Sequence, residues 1–349
     1  MIRWSEPNIT LLDIDYVKAT LDGNWFSMGK QVALLEEKMI DISNRKYTLA
    51  INNGTSALTV ALRSLGIGIG DEVIVPALSY IASATAISLV GAKPVFVDVG
   101  NNMTIETNKI KKAVTEKTKA ILSVDFGGNP CNHTEIFNVA LDNNLWIIND
   151  GAQSIGATHK NKPCLSYGDV STTSFHIGKQ ITTVEGGMIF SDKSEIAEKC
   201  KIIRNQGEGK TKYLHEMLGG NYRMNDVLAS LAIKQLEVYD IMMKARYARI
   251  NKYKEFLREH IDFMGEKGQG NFSFIILSKK RDKIAKHLKK NNIETRCYIK
   301  TIPQQPIYNV KESFPKAEWF VKNMLLLPLH NKLSFADIKF ICDKIKEVE

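Results

Sequence analysis

The chain has 349 residues, 44% of them hydrophobic, enough to bury a substantial core in one large domain with a smaller one or in two comparable domains. Its five cysteines include no C-x-x-C and its seven histidines no H-E-x-x-H, so a disulfide framework, a zinc knuckle or a structural metal is not expected. The net charge of +9 comes from lysines spread over helical patterns such as DKIAKHLKKNN, without interleaved stacking aromatics, which argues against nucleic acid; the apolar runs VIVPAL, LWII and MLLLPL are too short to span a bilayer.

The opening MIRWSEPNIT has no apolar signal segment, so cytoplasmic residence is expected. From about residue 53 helical and strand patterns alternate. TSALTVALRSLG reads as a helix capped near Gly66, DEVIVP as a strand, YIASATAISLVG as a helix closed by Gly91, and KPVFVDV as a strand. NKIKKAVTE, KAILSVDF, HTEIFNVALDNN and LWIIND continue as helix, strand, helix, strand. This alternation, with fully apolar strands, predicts an α/β fold: a mainly parallel sheet with helices on both faces and ligands at the carboxyl ends of the strands. GIGIGDE, residues 66–72, is not a dinucleotide fingerprint, because its glycines end a helix and precede a strand. Shorter strands follow in VSTTSF and GMIFSD, then a helix over SEIAEKCKIIRNQG and one long helical stretch from about Asn225 to Glu259. NFSFIIL, RDKIAKHLKKNN, IETRCYI and FADIKFICDKIKEV read β-α-β-α, a small α+β domain. The expected division is a large domain over 1–240 and a small one over 241–349.

Four local features can converge at the strand ends. In NNGTSAL, Gly54, Thr55 and Ser56 open a helix whose amides and dipole favour a phosphate, although an ordinary N-cap has the same appearance. In IINDGAQS, Asp150 ends an apolar strand and Gln153 follows three residues later; a carboxylate there needs a partner, either a protonated ring nitrogen or a helix N-terminus. Tyr80, after VPALS, stands where an aromatic can stack on a flat ring or simply pack in the core. SFHIGKQITTVEGG, residues 174–187, supplies the Ser174 hydroxyl and a single lysine, Lys179, which reads either as an incidental surface cation or as an enclosed nucleophilic amine. Phosphate pocket, aromatic plate, strand-end carboxylate and lysine together describe a site for pyridoxal 5'-phosphate.

With these motifs in this order, the chain resembles the DegT/DnrJ/StrS-type aminotransferases. The resemblance runs from DGNWFSMGKQVALLEEKM through NNGTSALTVAL, DEVIVPALSYIASATAI, INDGAQSIGA, SFHIGKQITTVEGGM and GGNYRMND to SFPKAEWFVKNMLLLPLH. It implies the type I aminotransferase fold and a pyridoxal phosphate enzyme acting on nucleotide-linked keto-sugars. Lys179 resembles the lysine that binds the cofactor aldehyde, Asp150 the partner of the ring nitrogen, and Gln153 the residue at the ring hydroxyl. Tyr80 matches the stacking position, and Thr55, Ser56 and Ser174 match the phosphate-binding positions. Asn221, in GGNYRM, matches an asparagine that reaches the neighbouring subunit's phosphate, which implies a homodimer with shared sites. One branch of the family carries histidine at the lysine position and dehydrates its substrate; here Lys179 holds that position and His176 lies three residues earlier, which favours amino transfer.

The departure is HIDFMGEKGQG, a shorter connection into NFSFIIL than relatives carry, which opens the alternative of a small phosphorylated ketone as acceptor. A cofactor-binding regulator with little turnover is the alternative of another class. The expected reaction moves an amino group from an amino acid, L-glutamate, to a nucleotide-linked keto-sugar, giving an amino sugar for glycan or polysaccharide synthesis.

Overall fold

The computed structural model describes residues 1–23, 25–264 and 272–349. Residues 265–270 of the short connection therefore lie outside the described residues. Two helices precede the alternating region. α1 (Leu11–Leu21) starts with a capping box between Thr10 and Asp13. α2 (Lys30–Ser43) is capped from far along the chain: the carboxylate of Asp226 accepts from the amides of Gly29, Gln31 and Val32. Next come β1 (Tyr47–Ile51), α3 (Gly54–Ser64), β2 (Glu72–Pro76), α4 (Ala82–Leu89), β3 (Lys93–Val97), α5 (Thr107–Ala113), β4 (Thr118–Val124), α6 (His133–Asp142) and β5 (Trp146–Asp150). A small hairpin of β6 (Thr158–His159) and β7 (Lys162–Pro163) leads to β8 (Val170–Ser174), β9 (Gly187–Ser191) and α7 (Ser194–Arg204).

The central sheet has the order β1-β9-β8-β5-β4-β2-β3. Its pairings are parallel from β3 to β8, and β9 runs antiparallel to both β8 and β1. Alternation along the strands explains why both faces are covered. Val73, Val75, Ala120 and Leu122 face one apolar cluster with Leu58, Leu62 and Ile87, whereas Ile74 and Ile121 face another with Ile110, Ile136 and Val139. The GIGIGDE turn is a helix stop. Gly66 adopts φ +75°, and the amide of Ile67 donates to Leu62 O.

The expected single helix over 225–259 is two: α8 (Asp226–Glu237) and α9 (Tyr239–Leu257), interrupted at Val238. The cause is tertiary. Near the end of α8, Gln235 is tied to the loop after β8: its Oε1 accepts from Thr182 N at 3.0 Å and its Nε2 donates to Thr182 O at 2.7 Å. Residue 240, where the join is expected, lies in the first turn of α9. A second, antiparallel sheet contains β10 (Asp262–Met264), β11 (Phe274–Leu277) and β12 (Met324–Leu327) in that order, with α10 (Arg281–Lys290), α11 (Pro315–Asn323) and α12 (Phe335–Lys346). IETRCYI, expected as a strand, forms only isolated bridges, Ile2 with Ile293 and Arg296 with Leu326. The fully apolar MLLL takes the sheet position instead, because every one of its side chains can be buried. No described helix is long and apolar enough to cross a membrane.

Candidate active site

The parallel run β4-β5-β8 brings three strand ends side by side: β5 ends in Asp150, β8 ends in Ser174 and leads to Lys179, and β4 leads into Asp125. On the other side of β9, β1 delivers the start of α3. Asn53 caps that helix by accepting from Ser56 N at 2.8 Å, and Thr55 and Ser56 are half-buried in its first turn. Here the backbones approach closely. A Cβ on Gly54 would come within 2.9 Å of Ser174 Cβ, and one on Gly187 would come within 2.6 Å of the Asn53 carbonyl. A cradle of helix amides and a serine hydroxyl, shaped by two glycines, has the chemistry to hold a phosphate.

Asp150 is buried. Its Oδ2 accepts from Ser83 Oγ at 2.7 Å and its Oδ1 from Ala152 N at 3.1 Å. Burial pushes its carboxyl above the ordinary carboxylate range, opposed by the Ser83 bond, the Ala152 amide and the charge of Lys179. Gln153 Oε1 accepts from Gly127 N at 2.7 Å, so the side-chain amino group is left as its donor end. Tyr80 stands 62% exposed after β2.

Lys179 is half-buried, and desolvation of its amine draws its pKa down to about 8 against the opposing charge of Asp150. The amine lies 4.6 Å from the ring centroid of Phe272, which meets Trp4 edge-on at 5.9 Å. The loop carrying the lysine is wound back on Phe175, whose carbonyl accepts from Thr183 N and Thr182 Oγ1. Within it Val184, β-branched and 44% exposed, adopts φ +70°.

Asn221 is exposed on the surface beside the same α3 entrance. Its carbonyl accepts from Asn52 Nδ2 at 3.4 Å, and the next carbonyl, of Tyr222, accepts from Asn52 N at 2.9 Å. Sequence reasoning missed Ser83, Phe272, Trp4 and Asp125. Only Ser83 carried a signal, one helical turn after Tyr80. The described donor set suits pyridoxal phosphate: anion cradle, buried carboxylate, amide donor and depressed lysine.

The DegT/DnrJ/EryC1/StrS aminotransferase family model matches residues 7–346. GDP-perosamine synthase of Escherichia coli O157:H7 is 34% identical over 352 residues, covering 98% of this chain and 97% of the relative. dTDP-4-amino-4,6-dideoxy-D-glucose transaminase of Shigella dysenteriae is 32% identical, covering 99% and 98%. Among solved structures, Spr1654 of Streptococcus pneumoniae in its PMP form superposes with a TM-score of 0.95 at 29% identity, covering 100% of this chain and 99% of the other. Its PLP form gives 0.93 at the same identity, covering 99% and 97%.

Proposed function

The chain belongs to the DegT/DnrJ/EryC1/StrS aminotransferase family, whose aminotransferases are pyridoxal phosphate-dependent, and from that premise we propose that it aminates a nucleotide-linked keto-sugar for glycan or polysaccharide synthesis, with L-glutamate as donor. The observation that carries this reading is the depressed Lys179 amine in a cleft with the buried Asp150, beside the Gly54–Ser174 cradle. The names of the relatives support the acceptor class: GDP-perosamine synthase, and a transaminase named for a dTDP-amino sugar.

Pyridoxal phosphate, when bound, supplies an aldehyde and an electron-withdrawing ring that takes up the amino group and passes it on. In our reading Gly54, Thr55, Ser56 and Ser174 would hold its phosphate, Tyr80 would cover the ring, Gln153 would donate to the ring hydroxyl, and Asp150 would keep the ring nitrogen protonated. Lys179 Nζ would hold the cofactor covalently and then move a proton, as base and as acid. The depressed pKa suits both duties near neutral pH, because a group titrating there can take and return a proton.

We propose further that the protein is a cytoplasmic homodimer in which Asn221 serves the neighbouring subunit's phosphate, and that each chain divides into 1–240 and 241–349. The test is the purified protein with cofactor and glutamate, offered GDP-, dTDP- and UDP-linked keto-sugars and read by mass spectrometry. An aminated nucleotide sugar is expected. Conversion of the cofactor by glutamate without amination of any sugar would move the acceptor to another class, and no conversion at all would leave a regulator.

A further inference from the structure

Asp125 follows β4, and the pairing of Val124 with Asp150 sets it beside the end of β5, where its amide donates to Asp150 O at 3.2 Å. Its carboxylate is completely buried. Oδ2 accepts from Asn149 Nδ2 at 3.0 Å and from Ser154 Oγ at 2.9 Å; Oδ1 accepts from Cys131 N at 2.9 Å and lies 3.2 Å from His133 Nε2. Asn149 and Ser154 bracket the short segment that carries Asp150 and Gln153. Two residues after Asp125, Gly127 holds the Gln153 amide. The six-residue stretch 149–154 is therefore gripped at both ends and at the glutamine by the segment that begins at Asp125.

A fully buried carboxylate is an expensive way to hold a loop unless its charge is used and balanced. His133 faces that carboxylate, its Nε2 3.2 Å from Oδ1. It is itself buried, and its ring stacks on Tyr167 at 4.4 Å with 7° between planes, which fixes its direction. Burial alone would raise the proton affinity of Asp125, but His133 and the hydrogen bonds outweigh it and hold the carboxyl below its ordinary value. Ligand atoms of Asp125, His133 and Cys164 lie within 4.8 Å of one another. Both oxygens of Asp125 already accept from protein donors, so its lone pairs are committed to holding the surrounding chain.

We propose that Asp125, countered by His133, is the positioning residue that aims Asp150 and Gln153 at the cofactor ring. This rests on the roles given above to those two residues. Hydrogen bonds to a charge are roughly twice as strong as neutral ones, so the carboxylate stiffens a segment that a neutral amide would leave looser.

The test uses the cofactor-loaded enzyme and the glutamate half-reaction. Asp125→Asn keeps the shape and removes the charge; Ser154→Ala removes one of the two brackets. Displacing a reacting partner by about an ångström can cost on the order of 100-fold, so Asp125→Asn is expected to lower kcat about 10- to 100-fold with KM for glutamate nearly unchanged. Ser154→Ala loses one hydrogen bond to the carboxylate, an effect of at least about tenfold on how firmly the segment is held, and is expected to lower kcat in the same direction as Asp125→Asn. Both are expected to alter the circular dichroism band of the bound cofactor, and Asp125→Asn/His133→Gln should regain part of the activity that His133→Gln alone loses. A merely structural Asp125 would lower the melting temperature and leave the band and kcat of the folded enzyme at wild-type values; that result overturns the proposal. If Asp125→Asn does not fold, Ser154→Ala decides alone, and wild-type behaviour there overturns it. An Asp150→Asn enzyme that reacts normally would overturn the parent reading along with this one, whereas a slow Asp150→Asn beside normal Asp125 and Ser154 variants overturns this one only.

Discussion

The Lys179 amine lies 4.6 Å from the centroid of the Phe272 ring, so the cover over the lysine comes from the segment entering β11 of the second sheet. Phe272 is held in turn by Arg246, whose Nη2 donates to its carbonyl at 2.9 Å. Two effects of this ring on the amine have opposite sign. Its face stabilises the ammonium by about 0.5–1 kcal/mol, while its bulk excludes the water that would stabilise the ammonium more. Phe272→Leu, which keeps the bulk, should lower the Lys179 pKa by roughly half a unit. Phe272→Ala, which admits water, should raise it. Shifts of the same direction in both variants would mark the contact as incidental.

The pH dependence of cofactor capture by the apoenzyme reads that pKa directly. Only the neutral amine attacks an aldehyde, so the rate should climb with pH and level off near 8. An ordinary lysine would go on climbing to about 10.4. Borohydride reduction followed by peptide mass spectrometry should put the cofactor mass on Lys179. Lys179→Ala should lose that label, and its turnover should fall by several orders of magnitude with the fold intact.

Asp150→Asn makes two measurable predictions. If Asp150 is the partner of the ring nitrogen, the cofactor should still bind while the single-turnover reaction with glutamate slows sharply, because the charge that keeps that nitrogen protonated is lost. The negative charge of Asp150 also raises the proton affinity of Lys179, so removing it should move the capture profile to lower pH. An unchanged single-turnover rate would leave Asp150 as a structural cap.

For Asn221 the decisive experiment is complementation. A charge-assisted hydrogen bond contributes about 1.5–3 kcal/mol, so Asn221→Ala should weaken cofactor affinity roughly 10- to 150-fold. Mixed dimers of Asn221→Ala and Lys179→Ala chains should contain one pocket with neither defect and one with both, and the intact pocket should work at close to the wild-type rate. If confirmed heterodimers recover no activity above the Asn221→Ala parent, the asparagine acts within its own chain.

Val184 gives a stability prediction. A β-branched residue at φ +70° costs on the order of 1–3 kcal/mol, and glycine relieves this at an entropic cost of about 0.5–1 kcal/mol. Val184→Gly should therefore raise Tm by roughly 2 °C, and Val184→Ala, which keeps a Cβ, should gain little. A lower Tm for the glycine variant would show that Val184 is covered and packed in the assembled protein.

What was legible in the sequence was whatever depends on near neighbours. Asp150 closes its own apolar strand and Lys179 stands alone in its loop, so both could be picked out before any fold was known. Ser83, Phe272 and Asp125 acquire meaning only through partners far along the chain: Ser83 through Asp150, Phe272 through Lys179, Asp125 through Asn149 and Ser154. The break at Val238 was hidden for the same reason, since it carries no glycine or proline and follows a helix end bound to Thr182. IETRCYI has a strand's composition, and the choice of MLLL in its place was made by burial on both faces, which local propensity does not register.

The reversed strand β9 also bears on how the protein folds. β8 and β9 form a hairpin around the lysine loop and can pair early, since little chain must be closed. The phosphate cradle needs β1 as well, and β1 finds its partner only after the whole alternating region has been made and folded back, with Ile51 opposite Gly187. The lysine end of the site can thus form before the phosphate end. A cofactor that needs both ends selects the completed sheet, and by mass action at a hundred times its Kd it stabilises that state by about 2.7 kcal/mol. Cofactor supply during synthesis should therefore set how much of the chain survives as folded enzyme.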